Sequence, residues 1–206
     1  MGSSKFHLTQ SLLSAWLYAL KSQDGFLKFL DALNRVREPP TRAMLDGIRF
    51  EGCVNACLDG NPIEPDHEWH DVVVSLTETL RGSQQQVNLK RDVIVDGVCF
   101  ELQGVLDFLR AGKIFDTKFS KTYHLNKYLA SPQHPMYFFL VPEAYEFEYL
   151  ISDGKDIFHE IYRPDEVVPI ETTIRQFMQY LDKMNLVDLY AQNFELESFY
   201  RKKEKQ

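Results

Sequence analysis

The stretch from Gln86 to Phe119, QVNLKRDVIVDGVCFELQGVLDFLRAGKIFDTKF, most constrains what this chain can become. Apolar and polar residues alternate through it, Val, Ile and Phe are frequent, and Asp96-Gly97 and Ala111-Gly112 interrupt it. That pattern reads as a three-stranded antiparallel meander with two tight turns. If Ala111-Gly112 is a two-residue loop, the register follows: Arg110 faces Lys113, Leu109 faces Ile114, Phe108 faces Phe115 and Asp107 faces Asp116. Two carboxylates then meet on one rung, where opposed Cβ atoms lie roughly 4.5–5.5 Å apart and like charges repel unless a cation joins them. Lys118, two positions beyond Asp116, points to the same face. On the reverse face Leu106 and Phe108 meet Thr117 and Phe115, an apolar layer to pack against helices.

The segments before the meander read as helices. Leu8, Leu12, Leu13, Trp16 and Leu20 recur at helical spacing behind a Thr9 N-cap, and a second helix is expected from about Gly25 to Val36. Pro39-Pro40 introduces a third, over Thr41 to Leu58. At about 100° per residue its apolar stripe is Met44, Ile48, Val54 and Leu58, with Glu51 and Asn55 inside that stripe. A carboxylate turned toward a core needs a partner. A fourth helix, Asp66 to Arg81, buries Trp69, Val72, Val73, Leu76 and Leu80; its His67 and His70 read as solvated rather than as metal ligands.

After Phe119 the chain reads as partly helical and broken around Pro132 and Pro135. A hairpin of Tyr145 to Ile151 and Asp156 to Tyr162 extends or flanks the sheet. Helices follow over Ile170 to Met184 and Leu186 to Tyr200, and the tail RKKEKQ is charged. The expectation is one domain over 1–206, with a helical region over about 1–82 and C-terminal helices over about 168–203.

With 206 residues, 44% hydrophobic and 26% charged, the chain suits a globular domain with a full core. Its net charge of −7 argues against coating nucleic acid by bulk attraction and requires any such contact to be local. Cys53, Cys57 and Cys99 make neither an even disulfide set nor a CxxC pair, which fits a reducing, cytoplasmic setting. The apolar stretch HLTQSLLSAWLYAL is broken by polar residues and lacks a following cleavage site, and no run approaches the roughly 18 apolar residues of a membrane span. A nucleophile elbow and a GxxxxGK[ST] phosphate loop are both missing, so triad hydrolysis and ATP-driven chemistry are not indicated.

What remains is a constellation: Glu51 on a helix, Asp107 and Asp116 opposed on a hairpin, and Lys118 beside them. Hard oxygen donors without cysteine favour Mg²⁺ or Mn²⁺ over zinc and point to a phosphate ester as substrate. Lys118 can then orient or deprotonate a water, or stabilise charge on phosphate. Lys121, Lys127, Arg110 and Lys113 are candidates for a phosphate path, with Tyr123, Tyr128 or His124 for base stacking.

These residues resemble the PD-(D/E)XK nuclease superfamily, within it the RecB-like and phage exonuclease branch. The likeness runs through Gly47-Ile48-Arg49-Phe50-Glu51, Gly104-Val105-Leu106-Asp107, Asp116-Thr117-Lys118 and Gln133-His134-Pro135-Met136-Tyr137, in the family's order and spacing. The resemblance implies an α/β fold with an α+β-like core of restriction-endonuclease type: a mixed sheet carrying an antiparallel meander, flanked by helices. It also implies Mg²⁺- or Mn²⁺-dependent cleavage of DNA, by an exonuclease of phage recombination or repair type. By that resemblance Glu51, Asp107 and Asp116 are metal ligands, Thr117 lends its backbone carbonyl, Lys118 is the catalytic lysine, and Gln133 and Tyr137 position DNA or the active-site loop. The cysteine cluster of the family's iron–sulfur members is missing, which argues against such a cluster. A homo-oligomer and a recombination partner protein are compatible partners besides DNA; a membrane is not expected. The competing expectation is a catalytically silent nucleic-acid-binding or assembly protein that retains the fold.

Overall fold

The structure is a computed structural model and describes residues 4–196. Its elements run β1 (Lys5–Thr9), α1 (Gln10–Ala19), α2 (Gln23–Leu33), α3 (Arg42–Leu58), α4 (His70–Leu80), β2 (Gln84–Val95), β3 (Val98–Arg110), β4 (Lys113–Phe119), α5 (Gln133–Leu140), β5 (Glu146–Ser152), β6 (Ile157–Tyr162), α6 (Ile170–Lys183) and α7 (Val187–Phe194). The first three helices start where a hydroxyl can satisfy an orphan backbone donor: Thr9, Ser22 and Thr41 accept from the N–H groups of Leu12, Gly25 and Met44.

The meander forms as expected. Asp96, Gly97, Ala111 and Gly112 all have φ between 48° and 82°, the left-handed pair that a two-residue hairpin turn demands. β2 pairs antiparallel with β3 along its length, and Arg110, Leu109 and Phe108 pair with Lys113, Ile114 and Phe115. The hairpin of β5 and β6 also forms, with β5 parallel to β4. The result is a mixed six-stranded sheet in which β1, β3, β4, β5 and β6 follow one another and β2 lies on the other edge of β3. Helices cover both faces, an α/β architecture with an α+β-like core.

On one face Leu12, Leu13 and Trp16 of α1, Phe29 and Leu33 of α2, and Ile170, Ile174, Phe177 and Leu181 of α6 bury against Phe100, Leu102 and Leu106. On the other, Phe50 and Val54 of α3 and Val72, Val73, Leu76 and Leu80 of α4 bury against Phe108, Phe115 and Leu150. Burial of each large side chain contributes roughly 1.5–3 kcal/mol, which makes these two layers the main stabilising term.

Several expectations are corrected. The N-terminal residues form a strand, parallel to the first half of β3, where only a helix was expected; five residues abutting a helix without a turn carry no periodic signal. The buried face of α3 is Asp46, Phe50 and Val54, while Met44 and Ile48 are 57% and 62% exposed. Glu51 therefore lies half-buried beside the packed face, not in its centre. α4 begins at His70 rather than Asp66, and residues 120–132 form turns before α5 starts at Gln133. Leu106 and Phe108 join different cores, so the shared apolar layer expected of them is divided at Asp107. The end of the last expected helix, from residue 197, and the RKKEKQ tail lie outside the described residues.

Candidate active site

The rung expected between Asp107 and Asp116 is not part of the ladder: pairing of β3 with β4 stops at Phe108 and Phe115. The cause is competition for one strand edge. β1 occupies that edge of β3 from Cys99 to Gln103, while β4 continues alongside β5 as far as Phe119. Residues 104–107 thus lie in a fork between β1 and β4. At its apex Asp107 Oδ2 accepts the backbone N–H of Thr117 at 3.3 Å, a side chain replacing a ladder bond.

Asp116 is 1% exposed and Lys118 holds its ammonium 2.6 Å from Asp116 Oδ2. Lys118 is thus the ionic partner of Oδ2, while the buried Thr117 Oγ1 has no hydrogen-bond partner. Burial, then the charge of Asp116, pushes the Asp107 carboxyl well above the usual carboxylate range; Glu51 adds to the push and Lys118 opposes it. For Lys118, burial alone would lower the pKa, but attraction to Asp116 and Asp107 outweighs it and the net direction is up. In this state Lys118 is an ammonium suited to stabilising negative charge, so the deprotonating role expected from the sequence would require release from Asp116.

Glu51 takes part at a distance. Its carboxylate accepts from the Gln86 amide at 3.2 Å. Gln86 lies beside Asp107, between the rungs Gln85↔Phe108 and Val87↔Leu106, and its φ of 50° is left-handed, a costly setting for a residue with a Cβ. Among the described residues no three His, Cys, Asp or Glu side chains are grouped as a ready metal cage. The donors Asp107 and Asp116 nevertheless suit a hard divalent ion: both are carboxylates, and the repulsion felt by Asp107 is what a cation relieves.

Beneath the carboxylates α5 supplies the support. Gln133 donates its amide to Asp116 Oδ1, and one turn later Tyr137 donates its hydroxyl to the Val105 carbonyl at 2.7 Å, occupying the gap in the fork. Pro135 does not disturb this spacing, because it lies in the first turn of α5, where a backbone donor has no intrahelical partner. Both polar ends are engaged inside the protein and position the site; Gln133 also lines a cleft beside Lys118. Burial, then Asp116 and Asp107, pushes the Tyr137 phenol up to about 12.

Sequence reasoning missed the next layer. Glu160 accepts the backbone N–H groups of Lys127 and Tyr128 at 2.8 and 3.1 Å and the Tyr162 hydroxyl at 2.8 Å, tying down the loop after β4. Tyr128 stacks on Tyr149 at 4.6 Å, and His134 stacks on Tyr162 at 4.1 Å while burial lowers its pKa to about 4. Only a glutamate within an alternating strand hinted at this, and strand position alone does not reveal a loop two elements away. Of the expected phosphate path, Lys113 is committed to Glu146 and Glu148, Arg110 to the Arg81 carbonyl and Lys121 to Asp46. Tyr123 is stacked on Phe158. His67 accepts from the backbone N–H of Trp69, and the His70 ring lies 2.9 Å from Asp71.

The raised Asp107 leads to a stability prediction. A carboxyl whose folded pKa lies above its unfolded value stabilises the fold only while protonated, so at neutral pH Asp107 costs stability. Asp107→Asn keeps an acceptor for Thr117 and removes the like charge. It is expected to raise the unfolding free energy in urea by about 1–2 kcal/mol at neutral pH with chelator present, and by less near pH 4. Equal gains at both pH values would contradict the electrostatic cause.

Neither a family model nor a curated protein sequence matches the chain. Among solved structures it is similar to the crystal structure of SSO0001, with a TM-score of 0.52 and 16% sequence identity, over 88% of this chain and 78% of that one. At that identity the likeness is one of fold, and the chemistry has to be read from Asp107, Asp116 and Lys118 themselves.

Proposed function

We propose that the chain is a divalent-metal-dependent deoxyribonuclease of the PD-(D/E)XK kind, an exonuclease working in recombination or repair in the cytoplasm. The observation that carries this reading is the fork itself: two carboxylates from adjacent strands, one wholly buried, with an ammonium 2.6 Å from the buried one and a third carboxylate close enough to raise Asp107. Two neighbouring carboxylates that raise one another's pKa destabilise a fold, and binding nucleic acid has no need of them.

Asp107, Asp116 and the Thr117 carbonyl would hold Mg²⁺ or Mn²⁺, with Glu51 joining them on release from Gln86. The ion would supply Lewis acidity toward a phosphate oxygen and an attacking water. Gln133 fixes the rotamer of Asp116, so that carboxylate needs no reorganisation when substrate arrives. The Thr117 N–H ties Asp107 across the fork, and Tyr137 takes the Val105 carbonyl within it. Lys118, freed from Asp116 by a competing cation, would place its charge on the phosphate as negative charge develops.

Linear and circular DNA incubated with Mg²⁺ or Mn²⁺, beside a chelator control and Asp116→Asn, test the reading. Metal-dependent loss of linear DNA alone, reduced at least about 10³-fold in the folded variant, is the expected result. Equal behaviour of wild type and variant would leave the second reading, a silent nucleic-acid-binding or assembly protein. One observation favours that alternative: Glu51 is turned to Gln86 and a three-ligand group is not preformed among the described residues.

A further inference from the structure

β2 forms one margin of the sheet: it pairs with β3, and among the described residues no strand pairs with its other edge. The Asp96-Gly97 turn fixes which of its backbone groups point outward. Val95 and Val98 flank that two-residue turn as a hydrogen-bonded pair, so the odd-numbered residues of β2 turn their N–H and C=O groups to β3. Asn88, Lys90, Asp92 and Ile94 therefore offer theirs to the outside. An edge of 12 residues with neither proline nor glycine is a template for another strand.

The straight part of this edge is symmetric about Arg91. Gln86 and Asp96 both have left-handed φ, 50° and 51°, and they bound an extended run over 87–95 whose midpoint is Arg91. An antiparallel strand of the same sequence, related by a two-fold axis at Arg91, sets Lys90 opposite Asp92, Asn88 opposite Ile94, Leu89 opposite Val93 and Val87 opposite Val95. The rungs of outward-facing residues would exchange about eight backbone hydrogen bonds. The neighbouring registers that also match outward groups put the axis at Lys90 or at Asp92, where like charges meet.

The side chains agree with the Arg91 register on both faces. Val93 and Val95 are buried in the larger core, and the partly buried Val87 and Leu89 pack against it, so each would meet an apolar neighbour from a second copy. On the other face Ile94 is 72% exposed. Lys90 lies 3.3 Å from Glu101 and Asp92 lies 2.7 Å from Lys5, and a rung between Lys90 and Asp92 joins these two ion pairs into one network. Arg91, which would meet its own copy on the axis, is tied to α5 of its own chain. Its Nη1 donates to the Phe139 carbonyl at 2.8 Å, and its guanidinium lies 4.8 Å from the centre of the Phe139 ring.

We propose that β2 is a dimerisation edge, pairing antiparallel with β2 of a second copy about an axis at Arg91 and joining two six-stranded sheets into one. The assignment is independent of the nuclease reading. In this register Gln86 falls opposite the Asp96-Gly97 turn of the second copy, which sets that turn beside the residue that holds Glu51.

Sedimentation equilibrium of the full chain tests it. A monomer–dimer equilibrium is expected with a dissociation constant of about 1–100 μM, weak because the edge is short for an interface. Lys90→Glu and Asp92→Lys each place like charges on both charged rungs and are expected to weaken dimerisation about 10-fold or more, with the fold intact by circular dichroism. Mixed in equal amounts, the two variants restore opposite charges on both rungs, and their heterodimer is expected within about 3-fold of the wild-type constant. A wild type that stays monomeric to about 500 μM overturns the proposal and makes Lys90 a guard against strand pairing. Dimers that both variants leave unchanged overturn it as well, because the contact then lies on another surface. Variants that weaken the dimer without recovery on mixing do the same, because the charges then do not meet across the edge.

Discussion

Lys118→Met is expected to lower stability by about 2–4 kcal/mol at pH 8 in chelator and by clearly less at about pH 5, measured as the urea midpoint at each pH. The substitution keeps the stem and removes the cation that opposes the charges at Asp107, with the ion pair of the buried Asp116 lost. The full penalty for stranding a buried charge is about 3–5 kcal/mol, and the lower figure here reflects the 31% exposure of the Lys118 side chain. The pH dependence has a definite sign. A lysine with a raised folded pKa contributes fully below its unfolded value of about 10.4, so wild type has the whole benefit at both pH values. In the variant, a proton can take the ammonium's place on the carboxyl pair as pH falls, and the deficit narrows. A deficit of equal size at pH 5 and 8 would mean that Lys118 contributes packing rather than charge. On the proposed nuclease reading, metal-dependent cleavage is expected to fall about 10²–10⁴-fold in the same variant, because the charge opposing the phosphate is gone.

Gly104→Ala is expected to cost about 3 kcal/mol or more and to reduce cleavage along with stability. A Cβ there would sit 2.4 Å from Tyr137 Cε1 and 3.0 Å from Leu140 Cδ1. Tyr137 has little room to yield: its residue is 5% exposed, its ring lies in the larger core and its hydroxyl is bonded to Val105. Overpacking of this kind costs about 1–3 kcal/mol, and driving Tyr137 off the Val105 carbonyl adds about 1–3 kcal/mol for the acceptor left behind. Displacement of α5 would also carry Gln133 away from Asp116. The steric cause is checked in a double-mutant cycle: in a Tyr137→Ala background the added alanine should cost less than about 1 kcal/mol. A cost that is the same in both backgrounds would place the strain elsewhere.

The resemblance to a nuclease family was carried by residues whose relations are local. Gln133 and Tyr137 stand four apart on one helix, and Asp116 and Lys118 two apart on one strand, so their shared faces follow from helical and strand periods. The reading of Glu51 shows the limit of that logic. A wheel drawn over α3 ranked Met44 and Ile48 as core because they are apolar, yet both are solvent-facing and the buried positions include Asp46, which pairs with Arg42 and Lys121. Which stripe of a helix is buried depends on what lies against it, here Trp69 and Phe119 around Phe50.

By itself the sequence determined the meander, its two turns and the Arg110 to Phe108 register, because left-handed turn residues and alternation act through neighbouring backbone alone. Tertiary structure decided where that register ends. The fork at Asp107 exists because β1, from nearly a hundred residues away, takes the edge of β3 that β4 would otherwise share, and because Tyr137 takes the carbonyl left between them. The placement of Glu51, Gln86 and Glu160 was decided the same way. Each of them is set by a hydrogen-bond partner remote in the chain, and no local period encodes such a partner.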